Sequence, residues 1–400
     1  MATELAYALI TPHSIIKSRT GAIISRLLQA SLDVVGVRML APSDDFVDAY
    51  MALFDSEQIS EPARTALRNY CDANLRPQSK FNDSNRCMLL LFEGENATRH
   101  LKEDIVGSFN IGEHSIPRGD TVRGTYGDFV LDGDMVRYAE PAAFVSPSVE
   151  ATREHLEVFS RFIDNDGGII EDAVERLFKS AKERDNAQTT LVILKPDIFK
   201  PGKGLAGNII DMFAKTKLYI VGAKILRLSM AKGEEFYGHL RETFRKRMLE
   251  ALTNDIHKAL DDTFPFTVPP ESSEAAAEKM VGAKSDHEVD KIVEFMTGRN
   301  PGALEDGEDP EAPGTVKCLA LLYRGAGAIE KIRSRLGKTN PEQAEDGSIR
   351  GHFGTNIMHN AAHASDEPAN AERERRIIGL WEEEKPCDVK QIIDEYLASL

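Results

Sequence analysis

The chain has 400 residues, enough for two or three domains that each bury a core. Hydrophobic residues make up 42% and charged residues 28%, an ordinary globular balance, and no apolar run approaches the roughly 18 residues of a membrane helix. The formal net charge of −16 argues against a broad nucleic-acid-binding face, although a small pocket needs only a few local cations to hold a nucleotide. The opening stretch MATELAYALITPHS has no basic segment followed by a long apolar block, so it does not read as a signal peptide. Cys71, Cys87, Cys318 and Cys387 form no C-x-x-C pair, which fits a reduced, cytoplasmic compartment.

Taken in order, the elements occur twice. Ala8-Leu9-Ile10-Thr11-Pro12 and Val192-Ile193-Leu194-Lys195-Pro196 are apolar runs that end at a proline, as buried strands do when they exit into loops. Helical patterns follow from Gly21 and from Gly207, and then β-rich runs at Val34–Arg38 and Ile220–Lys224. The apolar strand Cys87–Gly94 mirrors Cys318–Gly325, and a helix-like stretch after each closes at Val106-Gly107 and Leu336-Gly337. Thr121-Val122-Arg123-Gly124 then matches Ser348-Ile349-Arg350-Gly351, and Ala142-Ala143-Phe144-Val145-Ser146 matches Ala361-Ala362-His363-Ala364-Ser365. The fold class is therefore α+β: a small antiparallel sheet with helices packed on it, duplicated. The expected organisation is a first copy over 1–165, a charged linker helix over 166–188 docked on one or both copies, and a second copy over 189–400. A helical insertion at about 245–313 interrupts the second copy and should lie close to its site. The acidic run Glu382-Glu383-Glu384 reads as a solvated helix end.

The second copy resembles the nucleoside diphosphate kinase family over most of residues 189 to 381. The pieces that carry the resemblance are Lys195-Pro196-Asp197, Tyr237, Arg333 ahead of Leu336-Gly337-Lys338-Thr339-Asn340-Pro341, Ile349-Arg350-Gly351, Asn360-Ala361-Ala362-His363-Ala364-Ser365-Asp366 and Gly379-Leu380-Trp381. The family places its histidine thirteen residues after the arginine of the I-R-G segment, which selects His363 over His359. The resemblance implies ferredoxin-like (βαββαβ) domains and transfer of a γ-phosphoryl group from a nucleoside triphosphate to a nucleoside diphosphate by a ping-pong route through a phosphohistidine. A neutral imidazole, with a free pKa of about 6.5, is a competent nucleophile for that attack. By the same resemblance, Glu374 orients the ring and Tyr237 hydrogen-bonds near the transferred group. Arg333, Arg350 and Thr339 meet phosphates, Lys195 and Asn360 hold the ribose, and Phe244 and Ile357 grip the base. No protein metal cage is expected: Mg2+ would come with the nucleotide phosphates. The family has Gly after its histidine, where this chain has Ala364. If that position needs φ > 0, the strain is roughly 1 kcal/mol.

The first copy has lost these groups. Thr11 stands in place of Lys195, Glu103 (or its neighbour Lys102) in place of Arg333, Phe109 in place of Thr339, Pro141 in place of Asn360 and Phe144 in place of His363, and only Arg123 persists. That predicts a catalytically dead copy with a structural role, taking the place of a second subunit in the family's dimers, and a homo-oligomer in which three chains imitate a hexamer. The expected partners are nucleoside tri- and diphosphates, with no nucleic acid and no membrane. The competing reading is a non-catalytic scaffold of kinase-like domains with residual nucleotide binding.

Overall fold

The computed structural model describes residues 3–57, 59–78, 84–109, 119–132, 135–200, 202–303, 307–382 and 385–400. Two compact units result: residues 1–225 with 319–400, and residues 226–318.

The first unit holds both copies of the sheet. In the first copy, β1 (Thr3–Ile10) lies between β3 (Cys87–Glu95) and β6 (Ala143–Phe144), with β2 (Asp33–Leu40) on the far side of β3, giving the order β2-β3-β1-β6. In the second copy, β7 (Ala187–Leu194), β8 (Tyr219–Leu226), β9 (Cys318–Ala326) and β10 (Ala362–Ala364) take the order β10-β7-β9-β8, the same arrangement strand for strand. Each central pair is antiparallel and in register over eight residues, Thr3↔Glu95 to Ile10↔Met88 and Ala187↔Ala326 to Leu194↔Leu319. β1 and β7 are buried along their C-terminal halves because helices cover them, which is why these runs read as continuously apolar. Between Val122–Tyr126 and β6 the first copy adds a hairpin, β4 (Asp128–Asp132) with β5 (Met135–Glu140), which has no counterpart in the second copy and gave no clear sequence signal.

The two copies meet through equivalent helices, Thr20–Gln29 and Leu205–Ala214. They cross at Gly21 and Gly207, where a Cβ on either residue would overlap the other's carbonyl oxygen. The contact is reciprocal. The Asp211 carboxylate accepts the backbone N–H groups of Gly21 and Ala22 at the start of the first helix, and Ser25 Oγ donates to the Gly204 carbonyl at the start of the second. Within one chain this reproduces the self-complementary geometry of a two-fold interface.

Three boundaries differ from the sequence expectation. The segment 166–188 is not one helix. Val149–Asp166 ends at Gly167-Gly168, where Leu40 and Gly167 form an antiparallel bridge and Gly168 N–H donates to the Met39 carbonyl. Ile170 N–H then donates to Val221 of β8, and only the short helices Asp172–Glu175 and Ala181–Asp185 follow, so the segment links the edges of both sheets. The last helix, Asp388–Ser399, belongs to the first copy's core: Cys387, Val389 and Ile393 pack with Leu40, Phe159 and Ile163. The insertion does not start at 245, because that position falls inside the continuous helix Leu240–Thr263. Unit two begins at Leu226 and contains Met230–Tyr237, Leu240–Thr263 and Pro270–Thr297. The two long helices pack on each other through Leu252, Ala277 and Val281. Glu382 is exposed in a bend rather than at a helix end; Glu383 and Glu384 lie outside the described residues. All four cysteines are free and buried.

Candidate active site

The site is built where the strand bearing His363 meets the end of β7. β10 pairs antiparallel with β7, His363 opposite Ile193, and Lys195 N–H donates to the Ala361 carbonyl just beyond. Before β10 the chain turns sharply. Ala361 has φ +73 and Ala362 N–H donates to the Asn360 carbonyl at 2.9 Å, a three-residue γ-turn that is rare and strained for a non-glycine residue. The strain expected at Ala364 therefore sits three residues earlier: Ala364 is ordinary strand paired with Val192 and is not among the residues with positive φ.

His363 is partly exposed, and its Nε2 is 2.8 Å from Glu374 Oε2. A carboxylate can only accept, so Nε2 carries the proton, and in the neutral ring Nδ1 holds the lone pair. Glu374 is buried on helix Pro368–Ile377 and also accepts from Ser365 Oγ at 2.6 Å. Burial pushes its carboxyl up, but the His363 ring, the two hydrogen bonds and Arg373 together hold it below the ordinary carboxylate value. The role of Ser365 was missed from sequence. The signal was present: residues two apart on an extended strand face the same way, so His363 and Ser365 both reach Glu374.

Lys195 Nζ donates to Asn360 Oδ1 at 2.6 Å and to the Met358 carbonyl at 3.1 Å, and Asn360 Nδ2 donates to the Thr339 carbonyl at 3.0 Å. This chain ties the end of β7, the loop after helix Ala328–Leu336 and the turn before His363 into one network. Arg333, in the last turn of that helix, is exposed. It is near enough to help lower the pKa of Arg350, after burial, and of Asp366, after the Asn370 hydrogen bond. Thr339 and Ile357 are exposed at the rim.

Arg350 sits differently from the sequence expectation. Its terminal nitrogens donate to the carbonyls of Gly337 (3.1 Å) and Ala362 (3.0 Å), and burial pushes its pKa down to about 10. Arg123 of the first copy does the same to Gly107 and Ala143 and is likewise pushed down to about 10 by burial. Each arginine lies on a short helix capped by a hydroxyl, Thr121 Oγ1 accepting from Gly124 N–H and Ser348 Oγ from Gly351 N–H. Gly107 and Gly337 have φ +89 and +86, and a Cβ there would approach those hydroxyls to 2.6 and 2.5 Å. Arg350 is thus first a brace for the backbone behind His363. Tyr237 and Phe244 belong to the second unit, Tyr237 buried with its ring 4.7 Å from Phe236 and Phe244 half-buried on helix Leu240–Thr263.

The same frame in the first copy surrounds an apolar centre. Ala142 has φ +60 and Ala143 N–H donates to the Pro141 carbonyl at 2.7 Å, repeating the γ-turn, but Phe144 is buried among Tyr50, Phe54 and Tyr70 at ring distances of 5.7, 6.3 and 5.8 Å. Among the described residues no group of three or more His, Cys, Asp or Glu is placed to hold a metal ion, and no helix is long and apolar enough to cross a membrane.

Comparison with known proteins points to one family. The sequence profile of the family described as nucleoside diphosphate kinase matches residues 188–260 and 313–383, the two stretches that flank most of the insertion. The nucleoside diphosphate kinase of Bdellovibrio bacteriovorus is 30% identical over 202 residues, which cover 50% of this chain and 98% of that protein. That of Staphylothermus marinus is 29% identical over 193 residues, 48% of this chain and 93% of the relative. Among solved structures, a nucleoside diphosphate kinase from Pyrobaculum aerophilum is 26% identical with a TM-score of 0.33, covering 48% of this chain and 94% of that one. By sequence, with nearly the whole length of such relatives matched, the chain belongs to the nucleoside diphosphate kinase family.

Proposed function

We propose that the protein transfers the γ-phosphoryl group of a nucleoside triphosphate to a nucleoside diphosphate through a phosphohistidine on His363. The observation that carries this reading is the 2.8 Å contact between His363 Nε2 and the buried Glu374 carboxylate, which makes Nδ1 the nucleophilic nitrogen. In the first half-reaction the Nδ1 lone pair attacks the γ-phosphorus and the bond to the β,γ-bridging oxygen breaks, releasing the diphosphate. Glu374 balances the positive charge that develops on the ring. In the second half-reaction a terminal oxygen of another diphosphate attacks the same phosphorus, the P–N bond breaks, and the neutral ring returns. In this reading Lys195 and Asn360, fixed on each other, would hold ribose hydroxyls or phosphate oxygens, exposed Arg333 and Thr339 would meet phosphates, and exposed Ile357 would meet the base. Mg2+ would arrive on the nucleotide's own phosphate oxygens, where it would neutralise charge between them. The relatives' activity, the four reduced cysteines and the missing groups of the first copy fit a cytoplasmic enzyme with one working copy per chain. The test is incubation with γ-labelled ATP. The expected product is one acid-labile, alkali-stable label per chain, absent in His363→Ala and discharged by added diphosphate. An unlabelled wild-type protein would leave the scaffold reading instead.

A further inference from the structure

We propose that the cavity between the two copies of the sheet binds a small organic anion that also carries a hydrogen-bond donor. The cavity has a volume of about 420 Å³, within the range of about 300–1,000 Å³ typical of small-molecule sites, and takes its walls from both copies. Its deepest cation is Arg86, 4% exposed. Arg86 Nε donates to Ser84 Oγ and Nη1 to the Ile220 carbonyl, both at 2.9 Å, and the guanidinium lies 5.1 Å from the centre of the Tyr219 ring. Among the described residues no carboxylate stands within ion-pair distance of it, and burial pulls its pKa down to about 10. A buried guanidinium held only by neutral acceptors and a ring face favours an incoming anion.

One further polar atom on the same wall lacks a partner. Tyr323 is 1% exposed and its hydroxyl has no hydrogen bond among the described residues. A hydroxyl or N–H on the ligand could donate to this oxygen. With Lys179 and Lys217 also lining the cavity, three cations oppose one carboxylate in a chain whose net charge is −16. The rim carries Ser18 and Lys217 at φ +56 and +60, the kind of strained backbone that concentrates at ligand sites. Ile16 and Ile210 provide apolar wall, so an anion with an apolar body fits better than a bare inorganic one.

The probe is 1-anilinonaphthalene-8-sulfonate, which joins a sulfonate, an N–H and an apolar body, with N-phenyl-1-naphthylamine as the analogue lacking the sulfonate. On the full chain we expect one saturable equivalent by fluorescence titration, undisturbed by saturating ADP, with the neutral analogue at least about tenfold weaker. Arg86→Gln should weaken the sulfonate by about tenfold and leave the neutral analogue unchanged, and Tyr323→Phe should weaken both by roughly threefold. Ala214→Phe, which fills the cavity wall, should abolish binding while His363 labelling persists. Should Arg86→Gln fail to fold, the two dyes and Ala214→Phe decide alone. Non-saturable binding, displacement by ADP, equal affinity for the two dyes, or unchanged binding in Ala214→Phe would each overturn the proposal.

Discussion

Replacing Glu374 by Gln keeps an oxygen beside His363 and removes only the charge. The carboxylate accepts from His363 Nε2 at 2.8 Å and from Ser365 Oγ at 2.6 Å, inside a buried pocket where solvent cannot substitute for it. A hydrogen bond to a charged partner contributes about 1.5–3 kcal/mol and a neutral one about 1 kcal/mol, so the charge itself is worth about 0.5–2 kcal/mol. The ring is most positive while the P–N bond is forming or breaking, so the difference falls on the transition state. At about 1.4 kcal/mol per tenfold, kcat/KM should drop roughly 2- to 30-fold. A coupled assay with ATP and a pyrimidine diphosphate gives kcat/KM, and single-turnover labelling by γ-labelled ATP isolates the first half-reaction. Both should fall together. A Gln variant within twofold of wild type in both assays would refute the idea that a charged partner tunes this histidine.

Acid should act on the same group. Because the folded Glu374 carboxyl titrates below its ordinary value of about 4.3, it stabilises the fold fully above that value, and the contribution is lost as pH falls through the lower folded pKa. Urea titrations of wild type and Glu374→Gln should therefore differ at pH 6 and draw together as the pH falls below that ordinary value; a constant gap would contradict the assignment. Arg123→Met, which leaves the carbonyls of Gly107, Pro141 and Ala143 without their buried donor, should cost about 2–4 kcal/mol in urea unfolding, and an unchanged midpoint would remove its role as a brace. Gly207→Ala drives a methyl group into the Gly21 carbonyl and should cost about 1–3 kcal/mol, read as a lowered melting temperature; an unaltered melt would mean that the helix crossing is looser than described. Phe144→His should yield no phosphohistidine in the first copy, since Thr11 and Pro141 stand where Lys195 and Asn360 do, and a second labelled site in mass spectrometry would contradict that. Native mass spectrometry should show three chains associated, and a monomer alone would count against the trimer.

Much of the fold was legible because it is written twice. The apolar runs at Ala8–Ile10 and Val192–Leu194, and those at Cys87 and Cys318, proved to be equivalent strands in sheets of identical order. The boundaries failed where tertiary packing decides. Nothing local says that Val389 and Ile393 cover the first copy's core, or that the Gly167-Gly168 pair breaks the linker so that it can hydrogen-bond to both sheet edges. In the site, spacing picked out His363 and the resemblance supplied Lys195, Asn360 and Glu374, which the structure brings into two hydrogen-bonded sets, Lys195 with Asn360 and His363 with Glu374. The bracing by Arg350 was not legible, because an arginine that donates to carbonyls and one that donates to phosphate look alike in sequence.

The comparison of the two copies separates framework from chemistry. Arg123 and Arg350, Gly107 and Gly337, Thr121 and Ser348, and the γ-turns at Ala142 and Ala361 occur at matching places in both. The residues that differ, Phe144 for His363, Thr11 for Lys195 and Pro141 for Asn360, are the ones that the proposed function sets against the nucleotide. The strained turn thus does not depend on the histidine that follows it: with Phe144 in place, the same turn delivers an aromatic ring into a packed core. It follows that the bend is a property of the fold, held by an arginine on two carbonyls, and that the second copy uses it to point an imidazole outward. An arginine shared by a copy with the histidine and a copy without it is therefore evidence for the brace, and the proposed transfer is expected to rest chiefly on the groups that the first copy lacks.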